Sequence, residues 1–169
     1  MSDTFAMSLK QRDSLRNAIN KNDFLTVQSL LSSKLSLKLL NDENVLCFAL
    51  ISNRIDIAQL LLNYGVDINA RNIDNWTAAM FISAYGTIEC LNLLLENGAD
   101  INLQCKENKS ALIHATIKNR QDHISLLLSY GADVNICDSN NKTALDYTCN
   151  DEVRKMLLAA KHSLDYVLK

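Results

Sequence analysis

The sequence predicts an all-α solenoid of about five stacked helix–turn–helix units joined by short hairpin-like turns. One pattern occurs three times, as LLLNYGVDIN, LLLENGADIN and LLLSYGADVN. Its glycines are Gly65, Gly98 and Gly131, so the spacing is 98 − 65 = 33 and 131 − 98 = 33. A fixed period of roughly 20 to 50 residues is typical of stacked repeats.

The same period marks where the helices should begin and end. Each glycine follows a leucine run, where a helix stop needs the left-handed conformation that glycine adopts without steric cost. Thr77, Ser110 and Thr143 occupy a second phase, and their hydroxyls predict N-caps for the first helix of each unit. A break before the second helix is expected near Asn53, Gly86 and Asn119.

A single solenoid domain over 1–169 is predicted, because no Gly/Ser linker, charge block or low-complexity tract divides the chain. Terminal units face water on one side and therefore depart from the pattern. The expected boundaries are an N-terminal capping repeat at 1–40, full repeats at 41–71, 72–104 and 105–137, and a C-terminal capping repeat at 138–169.

The two capping repeats depart from the pattern in different ways. The first should contain one helix through Leu15–Phe24 and another through Leu25–Ser33, with 34–40 in place of the glycine turn. The last lacks a few residues near Cys149. Its tail, 162–169, has apolar residues at helical spacing and is expected to dock back on the cap.

Two motifs within the period resemble those of the ankyrin repeat family. TAAMFI at 77–82 and SALIHA at 110–115 are similar to the family's T-P-L-H-x-A. GADIN at 98–102 and GADVN at 131–135 are similar to its G-A-D-V-N. The resemblance covers nearly all of the chain and implies a turn plus two helices in each repeat.

The chain departs from the family pattern in two respects. It contains no proline, so the second motif position is mostly alanine. The histidine position of the motif is occupied by Cys47, Met80, Ile113 and Asp146. The hydrogen bonds that the family's histidine makes must therefore be replaced here.

Composition argues against several classes of function. The net charge of −2 is unlike the basic excess of a general nucleic-acid or membrane-surface binder. The leucine runs are too short to span a bilayer, and residues 1–10 lack the apolar core of a secretory signal peptide. The five cysteines include no CxxC, which favours free thiols in a reducing compartment. We expect a cytoplasmic protein, with the nucleus or a host cytosol as alternatives.

No pattern of catalytic or metal-binding residues is present in the sequence. It has no glycine-rich phosphate loop, no HExxH and no His/Cys cluster at zinc spacing. Cys105 and Cys137 share nearly the same phase, so a metal or redox link between them is the alternative to two free thiols. We expect a monomer that is not an enzyme and has no cofactor or metal.

The resemblance implies a protein-binding module that meets its partner with the turn tips and the exposed side of each first helix, which together form a concave groove. The partner-binding residues carried over by phase are Arg71, Ile73, Asp74 and Trp76 at one tip, Lys106, Lys109 and Lys142 at the next two, and Ile51, Phe81, Tyr85 and Lys118 on the helices.

Three features of this surface allow two interpretations each. Trp76 is either a binding anchor or a side chain that lies flat on a neighbouring tip and stiffens the turns. The lysines either meet an acidic ligand or form a solvated face. The third feature is a column of residues at spacing 33, which either stacks inside the core or lines an apolar groove: Phe48, Phe81, His114 and Tyr147.

Asn69, Asn102 and Asn135 each end a Leu-x5-Asp-x-Asn pattern. This pattern resembles the site that asparaginyl hydroxylases modify in ankyrin repeats, so hydroxylation is predicted there. The alternative is that each asparagine side chain braces its turn, and that role is compatible with modification.

Repeat architecture does not identify the partner. Besides a general protein-binding module, three roles stay open. The chain could be a regulatory or inhibitory subunit, an architectural scaffold, or an effector of a pathogen or symbiont acting on a host protein. The last is suggested by the abundance of Asn, Ile and Lys, which is typical of AT-rich coding.

Overall fold

The computed structural model describes residues 2–32, 40–41 and 44–167, without the side chains of 2–9 and 163–167. This part of the chain is helical and contains no strand. The segment expected to replace the first glycine turn, and the side chains expected to dock the tail, lie outside the described residues.

Ten helices lie within these ranges. Their bounds are α1 Ser2–Asn20, α2 Phe24–Ser32, α3 Val45–Ile51, α4 Ile55–Tyr64, α5 Ala78–Tyr85, α6 Ile88–Glu96, α7 Ala111–Ile117, α8 Gln121–Ser129, α9 Ala144–Tyr147 and α10 Asp151–Val167.

The helices stack in two layers. The odd-numbered helices, hereafter the inner helices, contact one another in chain order from α1 to α9. The even-numbered helices, hereafter the outer helices, do the same from α2 to α10, and each inner helix packs on the outer helix that follows it. Every unit therefore contacts its neighbours, and the predicted all-α solenoid is confirmed.

Leucines at the 33-residue period fill the space between the layers. Leu61, Leu94 and Leu127 are each 0% exposed. Burying a leucine side chain contributes about 1.5–3 kcal/mol, and no single unit could bury this residue without the next. The hydrophobic core is thus continuous along the stack.

The predicted glycine stops are confirmed. Gly65, Gly98 and Gly131 have φ values of 96°, 80° and 81°. Apart from the glycine and its two chain neighbours, no atom lies within 4 Å of a Cβ placed on Gly98 or Gly131, so the backbone conformation and not a lack of space requires glycine there.

The predicted N-caps are also confirmed. The hydroxyls of Thr77 and Ser110 accept hydrogen bonds from the backbone N–H three residues later, at 3.4 and 3.5 Å. Thr143 forms a capping box with Asp146. Asn44, at the same phase in the first full repeat, has φ 50° and makes no side-chain cap, so this helix start is built differently.

Asparagine side chains connect successive turns, as the bracing interpretation predicted. The Oδ1 of one turn's asparagine accepts a hydrogen bond from the backbone N–H of the next turn's aspartate at 2.9 Å. The three pairs are Asn41 with Asp67, Asn69 with Asp100 and Asn102 with Asp133. The tips are linked as well, since Lys106 and Ser139 donate backbone N–H bonds to Asp74 and Glu107.

The N-terminal unit differs from the prediction at its first helix, which ends at Asn20 instead of continuing to Phe24. Asn22 has φ 56°, which interrupts the helix. The Asp23 carboxylate then accepts the backbone N–H of Thr26 at 3.0 Å and caps α2. The chain therefore turns earlier than the apolar pattern alone suggests.

Candidate partner-binding face

Large apolar side chains are exposed at the C-terminal ends of three inner helices and at one tip. Ile51 is 54% exposed, Tyr85 60% and Ile117 40%, and all three lie in the last turn of their helix. Ile73, at the adjacent tip, is 85% exposed. These four residues define what we call the inner face.

An open groove of about 440 Å³ lies between α3 and α5 on this face. We call it the α3–α5 groove, and its lining is largely apolar. The lining residues are Arg16, Asn44, Cys47, Phe48, Ile51, Asn72, Ile73 and Phe81.

The column at spacing 33 belongs to both the core and the groove. Phe48, Phe81 and Tyr147 are half-buried, whereas His114 is 8% exposed. Phe48 and Phe81 pack on the core with one side and line the α3–α5 groove with the other. His114 therefore belongs to the core, whereas Phe48 and Phe81 belong to both the core and the groove.

Trp76 packs between two repeats. Its ring centroid lies 4.6 Å from that of Phe81 in its own repeat and 4.0 Å from that of His114 in the next. Its backbone N–H donates to Asn72 Oδ1 at 2.9 Å. The side chain is half-buried, and its contacts are to rings on two inner helices, tilted by 47° and 40°. Trp76 therefore links two repeats, and its role in binding stays a prediction.

Two of the predicted lysines are already paired with carboxylates. Lys106 Nζ lies 3.6 Å from Asp74 Oδ1, and Lys109 Nζ lies 2.5 Å from Glu107 Oε2. The second pair lowers the pKa of Glu107, chiefly because Lys109 donates a hydrogen bond to it. A carboxylate arriving from a partner would have to compete with these contacts.

Two other lysines lie over aromatic rings. Lys118 Nζ lies 4.9 Å from the centroid of the Tyr85 ring, and Lys142 Nζ lies 5.6 Å from that of Tyr147. Neither lysine, nor Arg71, forms an ion pair with another residue that the structure describes. Such cation–π contacts are weak at exposed sites, about 0.5–1 kcal/mol, and leave the ammonium hydrogens accessible.

Asp138 holds the tip of the last unit together. The Tyr147 hydroxyl donates a hydrogen bond to its carboxylate, and the backbone N–H groups of Asn140 and Lys142 donate at 2.9 and 3.0 Å. These donors, Tyr147 first, lower the pKa of Asp138 to about 2. The tip is rigidly braced, which suits a support for binding residues.

Cys105 and His114 are brought together, although no motif predicts the pair. Cys105 Sγ lies 3.8 Å from His114 Nε2, and both side chains are buried. Burial lowers the pKa of His114 to about 4, so the imidazole is neutral near pH 7. A neutral imidazole enclosed beside a buried cysteine has the character of packed core.

The two cysteines that share nearly the same phase differ in exposure. Cys105 is buried and Cys137 is exposed, and both are free thiols. Burial also raises the pKa of the Cys47 thiol to about 12. Within the described ranges, no group of three or more His, Cys, Asp or Glu residues is arranged to hold a metal ion.

The asparagines predicted to be hydroxylated lie at the turns. Asn69 and Asn102 accept hydrogen bonds from the next turn, and the exposed Asn135 donates its backbone N–H to Asp133 Oδ1 at 2.8 Å. The bracing role is confirmed for the first two, and hydroxylation stays a prediction.

Four lining residues were not predicted from the sequence to bind a partner, namely Asn44, Cys47, Asn72 and Arg16, and Arg16 is the one that comes from the N-terminal unit. Its guanidinium lies 5.4 Å from the centroid of the Phe48 ring. It belongs to α1, where the motifs are lost, so no repeat phase could place it. Only the packing of α1 beside α3 brings it to the groove.

Comparison with known families agrees with this architecture. A family model described as ankyrin repeats (3 copies) matches residues 15–105 and 79–168. The chain is an ankyrin-repeat protein. Ankyrin repeats are generally protein–protein interaction modules and are typically non-catalytic. No curated protein shows a significant match to the chain.

Among the residues that the structure describes, no helix is both long and apolar enough to cross a bilayer.

Proposed function

We propose that this ankyrin-repeat protein binds a partner protein through its inner face and that the α3–α5 groove receives an apolar side chain of that partner. The observation that carries the proposal is the exposure of Ile51, Ile73, Tyr85 and Ile117 on adjacent repeats. Single exposed apolar residues are normal on a soluble protein, whereas a contiguous set beside a groove marks interaction sites.

The groove suits an anchoring side chain. Phe48 and Phe81 form half-buried apolar walls, and Ile51 and Ile73 are exposed beside them. Binding energy concentrates where an apolar anchor fills such a pocket and is surrounded by a polar rim. Arg71, Asp74, Lys106 and Lys109 lie at the tips and form that rim in the proposed complex, and Lys142 extends it toward the last unit.

The support around the groove is rigid. The inter-turn asparagine bonds and the N-caps place Phe81 and Tyr85 on a fixed helix, and Trp76 packs against Phe81 and His114. Rigid side chains lose little conformational entropy on binding, which favours affinity. In this proposal Trp76 acts mainly by positioning the tip.

A displayed library of random peptides, selected on the immobilised wild-type chain, provides ligands for the test. Their affinities are then measured for Ile51→Asp, Ile73→Asp and the matched control Leu25→Asp. Leu25 is 75% exposed on the outer helix α2, so the same chemical change is made off the inner face.

Groove-directed binding predicts that the two inner-face variants lose at least about tenfold in affinity while the control keeps wild-type affinity. Melting temperatures should stay near the wild-type value for all three, because the residues are exposed. Equal affinity across all four proteins, or a loss confined to Leu25→Asp, would contradict the proposal.

A further inference from the structure

Charge is distributed unequally between the two sides of the solenoid. The outer helices α4, α6 and α8 with their following turns, 55–69, 88–102 and 121–135, contain seven carboxylates and no lysine or arginine. The seven are Asp56, Asp67, Glu89, Glu96, Asp100, Asp122 and Asp133. These three segments therefore carry −7, although the whole chain carries only −2.

The inner side has the opposite character. Helices α3, α5 and α7 contain no acidic residue. Cations reach the face from its edges, with Arg16 over the Phe48 ring and Lys118 over the Tyr85 ring. The inner face is thus apolar, with Arg16 and Lys118 at its edges and with the tip carboxylates of Asp74 and Glu107 each paired with a lysine. Helices α4, α6 and α8 with their following turns are anionic.

Lys118 is the cation best placed to meet a ligand. Unlike Lys106 and Lys109, it has no carboxylate partner among the described residues, so a new ion pair there replaces no existing one. Its aliphatic stem extends toward Tyr85, whose ring is 60% exposed. An ammonium held over a ring presents its donors to a carboxylate while part of its solvent shell is already displaced.

Helix α5 sets part of the distance between groove and cation, and Lys118 Nζ lies a further 4.9 Å from the centroid of the Tyr85 ring. Phe81 lines the α3–α5 groove, and Tyr85 follows four residues later on the same side of α5. Four residues of helix rise about 6 Å. A bound segment spans that distance with two residues when extended, or with three or four when helical.

We propose that the partner of this chain is an acidic, apolar protein segment, which inserts an apolar side chain into the α3–α5 groove and places a carboxylate on Lys118 beside Tyr85. This inference rests on the proposed function and adds the chemistry of the ligand to it. Repulsion by the outer carboxylates directs such a segment to the inner face, and the cations there favour its approach.

The peptides selected on the wild-type chain test this chemistry directly. Their sequences should be enriched in Asp or Glu two to four residues from a large apolar residue. Lys118→Glu should weaken their binding at least about tenfold, since it replaces an attractive charge with a repulsive one. Raising the salt concentration should lower their association rate.

Lys155→Glu is the matched control. Lys155 is exposed on α10 and paired with Glu152 at 2.9 Å, so the variant has the same net charge as Lys118→Glu but leaves the inner face intact. Its affinity for the peptides should stay within about twofold of wild type, because screening limits the reach of a remote charge to about 10 Å. A thermal melt of each variant checks that both fold.

The possible outcomes separate the inference from the proposed function. Peptides that need Ile51 and Ile73 but show no acidic enrichment and ignore Lys118→Glu would overturn the inference and leave groove binding standing. Enrichment of basic peptides would overturn the inference in favour of the anionic outer side. Peptides whose affinity is unchanged by the variants at Ile51, Ile73 and Lys118 would overturn both the inference and the proposed function.

Discussion

The second full repeat and its neighbours hold the same arrangement of two helices in place with different residues. Before the capped helix, it has Trp76 where the next two units have Lys109 and Lys142. Between its two helices, it has Gly86 where the adjacent repeats have Asn53 and Asn119. Both differences lie beside the inner face.

The two kinds of inter-helix loop use different chemistry. Asn53 and Asn119 adopt the left-handed region with φ 55° and 52°, and each is followed by an arginine. Arg120 reaches back to bond the carbonyl of Gly86 at 2.6 Å. Gly86 itself has φ −86°, and Thr87 caps α6 by accepting the N–H of Cys90 at 3.4 Å. The connection between the two helices of a repeat can therefore be built from a left-handed asparagine followed by an arginine, or from a glycine followed by a capping threonine.

This comparison shows how stability and recognition are divided. The features shared by the repeats, such as the buried leucines and left-handed glycines, hold the stack together. The features peculiar to the second repeat, namely Ile73, Trp76 and Tyr85, shape the proposed binding surface. Trp76 belongs to both groups, because its ring joins two repeats.

Replacing Trp76 should have the largest effect. Trp76→Ala removes contacts to Phe81 and His114 and should lower the free energy of unfolding by about 3 kcal/mol, near the low end for a buried tryptophan. Urea denaturation measures this. Lys109→Ala, at the same phase in the next repeat, should cost less than about 1 kcal/mol. Similar losses of unfolding free energy for both variants would show that Trp76 stabilises its repeat no more than Lys109 stabilises the next.

Gly86 should tolerate substitution less well than its counterparts. A Cβ there would lie 2.7 Å from two side-chain carbons of Ile82 and 2.9 Å from its Cα, so Gly86→Ala should destabilise the fold by about 2 kcal/mol. Asn119→Gly removes a side chain from a left-handed residue and should change stability by less than about 1 kcal/mol. An unchanged melting temperature for Gly86→Ala would mean that the two loop types are interchangeable.

The buried His114 should make the fold sensitive to acid. Its pKa is about 4 in the fold and 6.5 ordinarily, so the unfolded chain binds the extra proton first as the pH falls. Stability is therefore retained above pH 6.5 and lost as the pH drops toward 4. Between about pH 7.5 and pH 5 the wild type should lose about 2 kcal/mol more than His114→Gln.

Urea denaturation at several pH values measures that difference. Lys109, Glu107 and Lys118 contribute to the field at His114. The raised pKa of Lys109 and the lowered pKa of Glu107, which follow chiefly from the hydrogen bond between them, keep this pair from producing the slope. The pKa of His123 is also lowered, chiefly by burial, but His123 is present in both proteins. Parallel pH profiles for the two proteins would contradict a neutral, buried His114.

The smallest expected effect is a gain in stability when Ser83 is replaced by alanine. Its hydroxyl is 0% exposed and has no hydrogen-bond partner among the described residues. At the same phase in the next repeat, Thr116 donates to the carbonyl of Leu112 at 2.8 Å. Ser83→Ala should stabilise by about 1 kcal/mol, whereas Thr116→Ala should not. Thermal denaturation that shows a loss for Ser83→Ala would reveal a role for this hydroxyl.

Most of the fold could be predicted from the sequence because each repeat contains local sequence signals for its helix ends, caps and core. The glycine phase predicts the helix ends, the hydroxyl phase predicts the caps, and the leucine phase predicts the core. The first helix of the N-terminal unit could not be bounded in this way. Its end is set by Asn22, which is left-handed like Asn53 and Asn119 but precedes Asn53 by 53 − 22 = 31 residues instead of 33, so the period misplaces it.

The binding face was predictable only as a set of positions. Periodicity indicates which residues share a phase, but it says nothing about pairing across repeats. The contacts of Lys106 with Asp74, of Lys118 with Tyr85 and of Cys105 with His114 depend on stacking geometry. Because Lys106 and Lys109 are paired with carboxylates, the proposed contact with an acidic ligand is assigned to Lys118.

Hydrogen–deuterium exchange with and without a saturating selected peptide tests the central claim most directly. The account predicts slower exchange in α3, α5 and α7 and at the tip around Ile73, with little change in α4, α6 and α8. Slower exchange confined to the outer helices, with the inner face unchanged, would contradict it.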